Sequence, residues 1–220
     1  MQRAAAVTPR TGLSWPHARL RTWGLSLGLG LMVMAGMAQA DANPTDLTEP
    51  PPGEPLVING CPIWPYTRCP GADLRHANLV GKNLTGADLR GAKLTRADLR
   101  GANLAVANLE GADLTGARLN KATAANTNFR KARFVGTDLE AARMMRSDFS
   151  GAEFIGCNLE ITRLDHAWFV GTRFVGNDLQ ESKFNQVNLQ DAYFEANVIR
   201  YAIFPSSNMA GCTGCPGGWE

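Results

Sequence analysis

The sequence predicts an all-β solenoid, and two observations carry that prediction. Every fifth residue from Leu74 to Met209 is large and apolar, Ala124 being the one exception, through 28 consecutive pentapeptides covering residues 71–210. Two residues before each of these, 25 of the 28 positions hold Ala, Ser, Thr, Cys or Val, and 16 of them hold Ala. Lys82, Asn177 and Asn197 are the exceptions. An α-helix turns about 100° per residue and scatters a five-residue beat around its axis. A straight strand places residues five apart on opposite faces. The chain must therefore turn once per pentapeptide, so that the large residue and the small one before it both point inward. Gly recurs where the turns fall, which suits its tolerance of unusual backbone angles.

Units such as Gly71-Ala72-Asp73-Leu74-Arg75, His76-Ala77-Asn78-Leu79-Val80 and Gly86-Ala87-Asp88-Leu89-Arg90 resemble the pentapeptide-repeat family, whose consensus is A-(D/N)-L-x-x. The resemblance covers all of 71–210. It implies a right-handed quadrilateral parallel β-helix of about seven coils, four pentapeptides to a coil, and so a rod roughly 34 Å long at the usual inter-strand spacing. On that architecture residues twenty apart form columns. Leu fills the inward columns of the early coils, and Phe becomes frequent later (Phe134, Phe154, Phe174 and Phe194 in one column). These are core. Ala124 predicts a local void or a distorted turn.

The outward columns differ from one another. Asp73, Lys93, Asp113, Arg133, Glu153 and Arg173 alternate in sign and predict a charge ladder ending at Tyr193. Beside it Thr95, Thr115, Val135, Ile155 and Val175 form a β-branched strip, suited to strand and also narrow enough for a partner to cover. On the third face Arg143, Arg163 and Lys183 stack, with Arg146 and His166 nearby and Asp165 as partial relief. Like charges on neighbouring strands oppose one another, so stability does not explain that column. These five basic residues are the candidate binding patch, for an anion or an acidic ligand; an unselected solvated face is the alternative.

At the N-terminus Arg3, Arg10, Arg19 and Arg21 precede the apolar run Trp23 to Met37, and Ala38-Gln39-Ala40 follows. That pattern reads as a signal peptide over 1–40, cleaved before Asp41, and predicts a periplasmic or secreted protein. The run is short for a spanning helix, so no stable membrane insertion is expected. Residues 41–59, with Pro50, Pro51, Pro52 and Pro55, read as a disordered tether. Residues 60–70 read as an N-terminal cap and 211–220 as a C-terminal cap.

Of the five Cys, Cys157 stands at an inward position. The other four flank the repeats and allow three pairings. On the rod that the resemblance implies, the two ends are too far apart for a bridge, since bonded cysteines have Cα atoms about 6 Å apart. The expected pairs are Cys61–Cys69 and Cys212–Cys215, each fastening a cap in an oxidising compartment. A zinc site needs about four ligands, which neither end supplies. A thiol–disulfide role for Cys212 and Cys215 is the competing reading of their spacing.

Removing 1–40 would take away four Arg and leave the chain nearly neutral. The family resemblance brings with it mimicry of DNA by an acidic rod that occupies a topoisomerase. Residues 71–210 hold 17 basic and 15 acidic residues, the wrong balance for such mimicry, and no nucleic-acid partner is expected. No phosphate loop, metal cluster or catalytic constellation is visible, and beyond residue 40 the only His are His76 and His166. The expectation is a non-catalytic, exported scaffold without cofactor or metal, binding a protein or cell-envelope partner. The last coil carries Tyr193, Val198, Tyr201 and Ile203 at normally outward positions. Either the tail through Trp219 covers them, or an end-to-end homodimer does.

Overall fold

The computed structural model describes residues 56–217, which belong to one compact unit. The expected signal peptide, most of the expected tether, and Trp219 lie outside the described residues.

The five-residue beat becomes a turn at every unit. Every fifth residue from Tyr66 to Gly211 has positive φ, whether or not it is Gly. The preceding apolar residue accepts a hydrogen bond across that corner, as when Ala92 N–H donates to Leu89 O (3.0 Å). Positive φ at the third residue of a hydrogen-bonded four-residue turn is the type II signature. Between corners the chain is extended and pairs in parallel with the segment twenty residues on: Asp73 with Lys93, Asn78 with Asp98, and so on to Tyr193 with Thr213. Leu74 N–H thus donates to Lys93 O (2.8 Å), while Lys93 N–H donates to Ala72 O (2.9 Å). The result is a β-helical solenoid with no α-helix among the described residues.

The outer Asp or Asn of the consensus has a structural task that periodicity did not disclose. At fifteen units its Oδ1 accepts the backbone N–H two residues later, spanning the corner as an Asx turn. Where Arg follows, it closes the same carboxylate from outside, as in Asp88–Arg90, with Nε at 2.8 Å and Nη2 at 2.7 Å.

The inward columns are buried from Leu74 through Phe194, and again at Phe204, save for Ile199 near the end. Lys82 turns out to solvent, whereas Asn177 is buried. On the first face the Phe column broadens the ladder into strands β3 (Arg133–Val135), β4 (Glu153–Ile155), β5 (Arg173–Val175) and β6 (Tyr193–Glu195), in parallel register. Phe134 and Phe154 stack with centroids 4.5 Å apart, and the neighbouring Phe129, Phe149 and Phe169 stack at 5.1 and 5.0 Å.

Where the corner bond is exchanged, inward polar side chains take over. Asn177 Nδ2 donates to Phe154 O, and Asn177 Oδ1 accepts Cys157 N–H, both at 2.9 Å. Ala124 is one such place. Its carbonyl accepts Ser147 Oγ, which in turn accepts Thr127 N–H (3.1 Å). Ala124 is itself fully buried, so the expected disturbance takes the form of a rewired turn.

The charge ladder is only half a ladder. Glu153 lies between Arg133 (3.7 Å) and Arg173 (3.8 Å), and Arg173 sits over the Tyr193 ring. In the early coils Asp73 turns to Arg75 (2.6 Å), because an Arg two residues away on its own corner is reached without crossing to Lys93. The Arg75 side-chain bonds hold the Asp73 carboxyl down to about 2; Arg90 and Arg100 likewise lower Asp88 and Asp98. A lowered folded-state value stabilises above the unfolded value and is lost as pH falls through the folded one. Stability should therefore hold at pH 5 and decline between pH 3.8 and about 2 for Asp73. The effect is small, because these pairs face solvent. An acid titration of the thermal midpoint checks this, and an Asp73→Asn, Asp88→Asn, Asp98→Asn variant should show a shallower decline.

At the N-terminal end β1 (Val57–Ile58) and β2 (Cys61–Pro62) form a hairpin. Val57 and Ile58, expected to lie in a disordered tether, are instead paired with Pro62 and Cys61. Cys61 and Cys69 are bonded, with Cα atoms 5.7 Å apart. The Tyr66 ring lies against Gly86, where a Cβ would meet it. At the other end Thr213 continues the first face, donating to Ala192 O and accepting Phe194 N–H. The bonded pair Cys212–Cys215, Cα 5.9 Å apart, flanks it. Gly214 is required there, since a Cβ would overlap Phe194 O. Residues 211–217 leave Ile199 40%, Val198 51% and Tyr201 72% exposed.

Candidate functional site

The third face brings together part of the candidate patch. Parallel bridges set Arg143 beside Arg163 and Arg163 beside Lys183, so the three do form a column. Arg146 and His166 occupy successive positive-φ corners, at 60° each, with Asn126 before them and Gln186 after. Backbone bonds tie each corner to the next, Arg146 N–H to Asp165 O and His166 N–H to Asn185 O. Between them opens a groove of about 420 Å³ lined by Ala125, Asn126, Met145, Arg146, Arg163, Asp165, His166, Asn185 and Gln186. Arg143 and Lys183 flank it without lining it.

Asp165 forms the recess. It is 8% exposed, whereas its column neighbours Ala125, Met145 and Asn185 are half-buried. Arg163 reaches Asp165 Oδ2 through Nε and Nη2, both at 3.3 Å, and Asn185 Nδ2 donates to Oδ1. That geometry separates the basic residues into two kinds. Arg163 is engaged with the acid, whereas Arg143, Arg146 and Lys183 form no ion pair among the described residues and are exposed. The column is thus less repulsive than its sequence suggests, because Asp165 neutralises its middle member.

Asn126, Met145, Asn185 and Gln186 were not singled out from sequence. Their signal was available in the twenty-residue spacing, which aligns 125, 145, 165 and 185 and, one place on, 126, 146, 166 and 186. Trp168 was also missed. It is 57% exposed, between Asp148 and Asn188 in its own outward column. Among the described residues no group of three or more His, Cys, Asp or Glu could hold a metal, and no helix is long and apolar enough to cross a membrane. Cys157 is buried, and burial pushes its thiol up, which makes it a poor nucleophile.

The family model for pentapeptide repeats matches in eight copies, over residues 68–105, 107–144, 125–160 and 162–195. No curated protein matches the chain. Among solved structures it is similar to HetL, a pentapeptide repeat protein involved in heterocyst differentiation regulation in the cyanobacterium Nostoc, at 25% identity over 67% of this chain and 70% of that one, with a TM-score of 0.32. It is similar to QnrB1, a plasmid-mediated fluoroquinolone resistance protein, at 13% identity over 66% of this chain and 90% of that one (TM-score 0.32). A third is a pentapeptide repeat protein of the Arabidopsis thaliana thylakoid lumen, at 24% identity over 54% of this chain and 65% of that one (TM-score 0.22). The matched repeats span more than half of the sequence and coincide with the corners and parallel bridges described above: the chain belongs to the pentapeptide repeat family.

Proposed function

We propose that this protein is an exported, non-catalytic rod, a right-handed, four-sided β-helix of about seven coils, that presents its outer columns to a protein or cell-envelope partner. The observation that carries this reading is where the chemistry lies. The interior is filled by Leu, Phe and Ala columns, so the recognition groups, Arg146, His166 and Trp168 among them, stand outside on a rigid scaffold. Two bonded cysteine pairs at the ends suit an oxidising compartment, in keeping with the signal-like residues 1–40. Cys212–Cys215 acts as a staple, because it brackets the strand residue Thr213 that covers Phe194.

An end-to-end homodimer is the second reading. The exposure of Ile199, Val198 and Tyr201 favours it, for the described part of the tail leaves these residues bare.

Expressed in full, the protein should be recovered from the periplasm, and envelope material that co-purifies with it should be lost with Arg146→Glu. Retention in the cytoplasm, or co-purification unaffected by that variant, would contradict the proposal.

A further inference from the structure

We propose that the groove beside Arg146 recognises an acidic saccharide, that is, a sugar ring bearing a carboxylate. This deepens the reading of an exported rod with an envelope partner and rests on it.

Three observations converge on that chemistry. Trp168 is 57% exposed, and its column neighbours Asp148 and Asn188 are polar. An indole that stands alone among polar groups is a platform; a protein-docking patch would gather apolar residues around it. Trp168 does not line the groove; it lies two residues past the corner at His166, with buried Ala167 between them. Two residues of chain span at most about 7 Å, a distance that one sugar ring bridges. The ring's C–H face suits the negative face of an indole.

The groove itself is furnished for hydroxyls. Asn126, Asn185 and Gln186 line it, and planar amides offer a donor and an acceptor side by side to vicinal hydroxyl pairs. Asp165 adds carboxylate oxygens at the floor, already held by Arg163 and Asn185, so it can accept from a ligand hydroxyl without leaving an unmatched charge.

The acid on the ligand follows from Arg146. Arg163 is engaged with Asp165, which leaves Arg146 as the exposed groove guanidinium without an ion pair among the described residues. A guanidinium so placed takes a carboxylate through two parallel N–H bonds. Arg143 and Lys183 flank the groove and add attraction at longer range. A simple anion would meet Asp165 with nothing to offer it. A saccharide carboxylate satisfies Arg146 while its hydroxyls satisfy the amides and Asp165.

Titration of the full chain with a uronic-acid oligosaccharide, a muramic-acid glycan fragment, a neutral oligosaccharide of equal length and an acidic peptide tests this, read by calorimetry and tryptophan fluorescence. At least one acidic saccharide should bind, at least tenfold more tightly than the neutral one, and which of the two binds identifies its source. Trp168→Ala and Arg146→Gln should each weaken binding at least tenfold while leaving the thermal midpoint in place. Absence of acidic-saccharide binding, equal binding of the neutral sugar, insensitivity to both variants, or preference for the peptide would each overturn the proposal. Fractionation separates the two levels of the account. Protein that reaches the periplasm but binds no saccharide overturns this inference alone, whereas cytoplasmic retention overturns the reading beneath it.

Discussion

Replacing Phe149 with Ala should lower the unfolding free energy by about 3–5 kcal/mol. The ring is fully buried and occupies the middle of a stack, 5.1 Å from Phe129 and 5.0 Å from Phe169. It also meets Phe134 at 6.0 Å and Phe154 at 5.5 Å edge-on. Truncation therefore removes contacts with the coils on both sides at once, and the cavity cannot collapse without shortening the rod. In a solenoid each coil is held by its neighbours, so the unfolding transition should also broaden or split into two steps. Denaturant unfolding followed by circular dichroism measures this. A loss below about 1 kcal/mol would mean that the neighbouring coils close over the space the ring leaves, contrary to a rigid stack.

Asn177→Ala should be nearly as costly, although Ala is the commonest residue at equivalent positions. Its amide satisfies Phe154 O and Cys157 N–H, both at 2.9 Å. Each buried backbone group left without a partner costs about 1–3 kcal/mol, so the pair implies about 2–6 kcal/mol. At ordinary corners Ala is sufficient because its own N–H closes the turn, as Ala112 N–H does onto Leu109 O. The same denaturation series tests the point. Unchanged or increased stability in the variant would show that the corner at Phe154 can close on itself.

The two variants also mark how far the sequence could be read. The inward columns were legible because burial repeats: one Leu at a given register implies the next, and the core from Leu74 to Phe194 follows from that beat. Asn177 was legible only as an exception, since a lone sequence does not reveal which carbonyl its amide reaches one coil away. The Asx turns were present in every Asp-Leu and Asn-Leu pair of the described repeats, yet they looked like ordinary polar surface, because their partner is the backbone two residues on. The ladder from Asp73 to Arg173 was read from column neighbours alone. It gave way where a nearer cation, Arg75, stood on the same corner.

The groove was half legible for a related reason. Like charge pointed to Arg143, Arg163 and Lys183, but depth depends on what recedes. That residue is Asp165, read from sequence only as a relief to charge and found 8% exposed, bound by Arg163 and Asn185. Trp168 escaped notice because one exposed aromatic leaves no periodic trace. Handling the third face as a patch of cations would therefore have placed the ligand carboxylate on Arg163, whereas the ion pair to Asp165 moves it to Arg146.

The intact mass of the protein recovered from an exporting host tests the central claim most directly. The account predicts a chain beginning at Asp41 that has lost four hydrogens through two disulfides and keeps one free thiol, Cys157. A chain that retains residues 1–40 and carries five free thiols would contradict it.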